Sequence, residues 1–226
     1  MDYHNQLMWV SLVCKRSWIT RYSSRAITSL LDAYDLVTQY DPLIYCPYYM
    51  CFAITNILEV IFGFLEDPES LRGIQSFMTA NYDIRSITET FLGALCQLSK
   101  KYVAFEPRFI YFKGRLSWGL GKDKKSMGRF ARGLEIAGKH QLLLDSALLN
   151  QAIGERLAVQ SERDSVLESA KSMFWICGAS GYWKEQPQTT IAEKGNEKEN
   201  GRESGKERES GKDKKRRSLK DAHGHH

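Results

Sequence analysis

An all-α fold of antiparallel helical hairpins is predicted for this chain, and three observations predict it. Apolar residues recur at helical spacing along nearly the whole of 24–177. No alternating run leads into an Asn-Gly or Asp-Gly turn, so no strand pair is expected. The predicted helices are joined by short turns, which force neighbouring helices to run antiparallel. A chain of such hairpins is either a compact bundle or a solenoid.

The elements follow in order. In 24–40, Ile27, Leu30, Leu31, Tyr34 and Val37 share one helix face. Pro42 and Pro47 mark a break before a helix over about 48–65. Its core, "YMCFAITNILEVIFGFL" at 49–65, is the most apolar window. That window has 17 residues, the lower limit for a membrane span, and it carries Asn56 and Glu59. A buried helix is therefore expected there, and no membrane span. Asp67 can cap the next helix, Pro68 suits its first position, and Glu69 favours its positive end. Its apolar face is Leu71, Ile74, Phe77 and Met78.

Ile87, Phe91, Leu95 and Leu98 continue the pattern over 84–104. Pro107 opens a helix whose face is Phe109, Phe112, Leu116 and Leu120, and "GKDKK" interrupts it. Met127, Phe130, Leu134 and Ala137 mark the next helix, and Leu144, Leu148 and Ile153 the one over 142–159. Ser161 is the expected N-cap of a last helix over 162–177, with Val166, Ala170, Phe174 and Cys177 on its face. Gly178 is its expected stop. Residues 24–183 thus form one helical domain of about eight helices, and 1–23 a helical N-terminal segment.

Composition divides the chain sharply. All five Trp lie before Lys184. From Lys184 onward there are 12 Lys/Arg and 9 Asp/Glu in 43 residues, with Ile191, Ala192, Leu219 and Ala222 as the aliphatic residues. So little apolar surface cannot offset an ordering cost of about 1–2 kcal/mol per residue, and 184–226 reads as a disordered, charged, low-complexity tail. The tail carries about +3 of the net charge of +5. The folded part is near neutral, which disfavours nucleic acid as its partner. The five cysteines are scattered without a CxxC, which suits buried thiols in a reducing compartment better than a metal site. No basic stretch precedes the short apolar run near the start, so no signal peptide is expected and the cytoplasm is the expected location.

The segment "RLSWGLGKDKKSMGRF", 115–130, looks at first like a phosphate-binding loop. G-x-x-x-x-G-K-[ST] with Gly121-Lys122 as its GK pair would need Gly at 116 and Ser or Thr at 123. The chain has Leu116 and Asp123. The residues before it have helical spacing, not strand spacing. Gly121 is better explained as a left-handed helix end, and Lys122 to Lys125 as a solvated turn and helix start.

The same stretch carries a resemblance. Residues 108–157 resemble the tetratricopeptide-like region that follows the ATPase module of soluble (type 10) adenylyl cyclases and related ATPase-linked regulators. Gly114, Leu116, Trp118, Gly121 and Lys122 match its first helix. Phe130, Leu134 and Ala137 match the second, and Ala147, Ile153, Gly154 and Leu157 the third. Residues 162–185 are similar to the helix that follows, through Leu167, Glu168, Phe174, Gly178, Ala179 and Tyr182, with Ser169 where the family has Ala. The resemblance spans about 78 residues. It implies a TPR-like solenoid with a scaffold or regulatory role. It implies no cyclase activity, because the carboxylate-bearing sheet of a cyclase and the ATPase loop have no counterpart here. On this reading the chain is a C-terminal piece, a short isoform or a degenerate relative.

Other candidate sites are weak. His4 and His140 have no Cys or His at ligand spacing, and no catalytic, metal or cofactor residue is assigned. Trp18, Trp118, Trp175 and Trp183 suit a helical core better than a binding surface. Lys214, Lys215, Arg216 and Arg217 form a basic, import-like cluster, which admits nuclear entry, and Ser218 stands where a basophilic kinase would act. A solubilising tail explains the same residues. The expected function is non-catalytic protein binding through the helical surface. The alternative is a basic-tailed binder of nucleic acid or anionic surfaces.

Overall fold

The most apolar helix is the centre of the fold. Helix α3 (Tyr49–Glu66) buries Met50, Ile54, Ile57, Leu58, Ile61 and Phe64 completely. Each such side chain contributes about 1.5–3 kcal/mol on leaving water, so five neighbouring helices gather around it. They are α1 (Tyr3–Ile19), α2 (Ser23–Gln39), α4 (Pro68–Phe77), α5 (Ile84–Lys101) and α6 (Glu106–Gly119). By length and composition alone α3 could also cross a membrane; here 61% of that window is buried inside the protein. The computed structural model describes residues 2–39, 47–77 and 82–183.

Beyond α6 the chain adds α7 (Asp123–Lys139), α8 (Leu143–Gly154) and α9 (Gln160–Ile176), each packed on its predecessor. Short 3₁₀ turns lie at Val103–Phe105 and Ser180–Tyr182. The described residues form nine α-helices and no strand. Small satellite cores continue the main one: Phe130, Ala137, Leu149 and Ala152 between α7 and α8, and Ala147, Leu148 and Phe174 between α8 and α9.

One turn geometry recurs. After α1, α6, α7 and α9 a single residue adopts positive φ: Arg21 (61°), Gly121 (68°), Gln141 (55°) and Gly178 (67°). In each case the next residue's N–H reaches back five positions: Tyr22 to Ser17 (2.8 Å), Lys122 to Ser117 (2.9 Å), Leu142 to Ala137 (2.9 Å), Ala179 to Phe174 (2.8 Å). The positive-φ residue itself bonds three back. These two bonds satisfy carbonyls that a helix end leaves open. Gly121 thus ends α6, and Lys122 stands exposed in the turn.

Several local expectations need correction. Leu120 is 53% exposed, because it belongs to the turn and not to the α6 face. Helix α9 starts at Gln160, with no side-chain cap: the Val159 carbonyl already accepts from Arg163, so Ser161 falls inside the first turn. Leu167, not Val166 or Cys177, completes the buried face with Ala170 and Phe174. Helix α8 ends at Gly154 and not at 159. Trp175 is 77% exposed. Asp67 does cap α4, accepting from the Glu69 and Ser70 amides. The side chains of Phe77 and Met78 lie outside the described residues, as does the tail with Lys214 to Arg217 and Ser218.

Candidate functional site: a cleft walled by ion pairs

Glu59 poses the first problem. It stands in the most apolar helix, and a carboxylate held away from water costs several kcal/mol unless it is paired. The fold supplies two cations. Lys15 of α1 lies 2.7 Å from Glu59 Oε2, and Arg108 of α6 lies 3.3 Å from Oε1. Arg108 continues to Asp145 of α8 at 2.6 Å. Four charges of alternating sign therefore link α1, α3, α6 and α8. Burial works against the Arg108 charge, and Asp145 and Glu59 more than offset it, so its pKa moves up. Burial also opposes the Lys15 charge, and Glu59 outweighs that too, so its pKa rises.

Lys15 completes its donors with Asn56 Oδ1 at 3.0 Å and the Tyr182 hydroxyl at 2.9 Å. Beside this line a cleft of about 780 Å³ opens between α1, α3, α6, α8 and the turn after α9. Trp18 and Ile19 come from α1, Val60 and Gly63 from α3, and Leu148 and Ala152 from α8. The Trp18 ring lies against Gly63, where a Cβ would stand 2.6 Å from it. The volume falls within the range of ordinary ligand pockets.

Two arginines form the cleft's other polar walls. Arg115 makes a two-pronged pair with Glu66 and stacks on Phe62 and Tyr111, at 4.8 and 5.3 Å. Burial opposes its charge, and Tyr111 and Glu66 restore it, so its pKa also moves up. Arg156 follows α8 and lies over Trp118 at 4.9 Å and Phe130 at 5.2 Å. Its Nη1 donates to the Ala152 carbonyl at 2.7 Å and to Glu155 at 3.3 Å. Among the described residues no group of His, Cys, Asp and Glu is arranged to hold a metal ion.

No family model, curated protein or solved structure matches the chain. None of these comparisons supports the expected resemblance of 108–157 and 162–185 to the cyclase-linked helical region.

The residues quoted for it are spread over the cleft, the helix packing and the turn after α6. Gly178, Ala179 and Tyr182 line the cleft. Gly114, Phe130, Leu134, Ala137 and Gly154 lie in helix packing. A Cβ on Gly114 would stand 2.3 Å from the Phe130 ring, and one on Gly154 2.8 Å from Leu167, so both glycines admit a large side chain of the next helix. Ala137 is fully buried, and Leu134 packs beside it. Leu116 packs against the main core, and Trp118 holds Arg156. The sequence reading missed Lys15, Arg108, Arg115, Asp145 and Arg156. The available signal was Glu59 itself, since a charge inside a buried helix requires partners.

Proposed function

We propose that this chain is a non-catalytic interaction module. On this reading its hairpins form a TPR-like array related to the helical region of soluble adenylyl cyclases, and its cleft receives a segment of a protein partner. The observation that carries the reading is the cleft, open between helices from both ends of the described fold and walled by the ion pairs Lys15–Glu59 and Arg115–Glu66. The recurring turn and the two glycine-under-side-chain contacts support the array, since repeat proteins reuse one local geometry.

Ile19 provides the test, because it lines the cleft and is 67% exposed. Ile19→Arg fills the mouth without touching the core. Full-length protein and this variant are used as bait in cytosolic extract at low and high salt. Partners retained by the wild type at high salt and lost by Ile19→Arg support the reading. The same set retained by both baits would overturn it. Binding that disappears with salt in both would move function to the basic cluster Lys214–Arg217.

A further inference from the structure

We propose that Arg156 anchors a carboxylate-binding site in the cleft, for a ligand that nothing in the fold replaces. The site is one guanidinium edge, and it stands whether or not the hairpins form a repeat array.

An arginine offers five N–H donors, and its Nε and Nη2 hydrogens form a planar fork that matches the two oxygens of a carboxylate. Arg156 is 10% exposed at its side chain. Its hydrogen bonds within the fold leave from Nη1. Its Nε is buried without a partner. A buried donor left in this way costs about 1–3 kcal/mol, which an acceptor bound there would recover. The other cations of the cleft are not in this condition. Lys15 has three acceptors and Arg115 has the two oxygens of Glu66.

Position and charge select the ligand. Trp118 and Phe130 lie against the guanidinium and fix its plane, which favours a planar partner. Arg156 lies in the Glu155–Val159 connection between α8 and α9, and it lines the cleft. Glu59, Glu66, Asp67 and Glu155 also line the cleft, against Lys15, Arg115 and Arg156. That balance is unfavourable to a phosphate dianion and tolerates a single negative charge. The apolar lining from Ile19, Val60, Leu148 and Ala152 suits the body of an organic acid or the end of a polypeptide.

The experiment follows the Arg156 side-chain Nε–H resonance of the full-length protein by NMR, assigned by its loss in Arg156→Gln. Sodium benzoate, benzamide and inorganic phosphate are titrated separately at constant ionic strength. The site predicts a saturable shift with benzoate at millimolar concentration, about −4 kcal/mol at 1 mM, none with benzamide, and weaker binding of phosphate. Arg156→Lys keeps the charge and loses the fork, so benzoate should no longer protect it against thermal unfolding. A short apolar peptide with a free C-terminus, compared with its amide, distinguishes the sources. Tighter binding than benzoate that needs the free acid marks a polypeptide end, and equal binding marks a small acid. No saturable benzoate response, an equal response to benzamide, or tighter binding of phosphate would each overturn the proposal.

Discussion

The Lys15 ammonium donates to the Tyr182 hydroxyl at 2.9 Å, across 167 positions of sequence. The contact ties the first helix to the last described turn. An open stack of hairpins frays from its ends, because each unit touches only its neighbours. Here Phe174 stacks on the Tyr182 ring at 6.3 Å while the hydroxyl reaches Lys15, so the terminal turn is held from both sides.

Lys15 carries a pH dependence, set against burial by Glu59 first and by Tyr182 after it. The Lys15 pKa is raised in the folded protein, so its contribution is complete below the unfolded lysine value of about 10.4 and is lost as pH rises through the folded value. Lys15→Met should cost about 2 kcal/mol at pH 8, on the scale of hydrogen bonds to charged groups. The gap to wild type should narrow in alkali above that unfolded value. Urea unfolding at both pH values measures it; a constant gap would contradict the assignment.

Gly114→Ala should destabilise by about 1–3 kcal/mol, because its Cβ would meet a buried Phe130 ring held against Arg156. Phe130→Leu in the same chain should recover part of that loss. The double-mutant cycle reads the coupling, and additive costs would mean that the two residues do not compete for the same space.

The recurring turn gives a pair of substitutions with opposite signs. Nothing lies within 4 Å of a Cβ added at Gly121, so Gly121→Ala tests backbone conformation alone and should cost about 1 kcal/mol. Gln141 already bears that cost at φ 55°. Gln141→Gly should therefore raise stability, by up to about 1 kcal/mol, in thermal or urea unfolding.

Cysteine reactivity should follow burial. Burial pushes the Cys14 thiol up to about 12, while Cys177 is exposed. In a Cys46→Ser background, a thiol reagent at pH 8 should modify Cys177 first. Cys14 should react only at the rate of unfolding.

The helices were legible because periodic burial is a local pattern. Ile27, Leu30 and Val37 are buried as spaced, and Gly121 and Gly178 signalled left-handed helix ends. Arg21 and Gln141 adopt the same conformation without that signal, because flanking helices and two backbone bonds impose it on residues that do not favour it. The site was less legible for a related reason. Lys15, Glu59, Arg108 and Asp145 come from four helices, and spacing along one helix says nothing about which charges meet across several.

The three-residue turns also govern how such a chain can change its length. With both bonds of the turn made by backbone, an added residue between α6 and α7 or between α7 and α8 would break the bonds and rotate every side chain that follows. In the connection from Glu155 to Val159 the backbone bonds close early, Arg156 to Ile153 and Leu157 to Gly154, and Ala158 and Val159 are exposed beyond them. Evolution and protein engineering meet the same rule here: peptide tags, fluorophores or new loops belong after Ala158, and the tight hairpins admit substitution but not insertion.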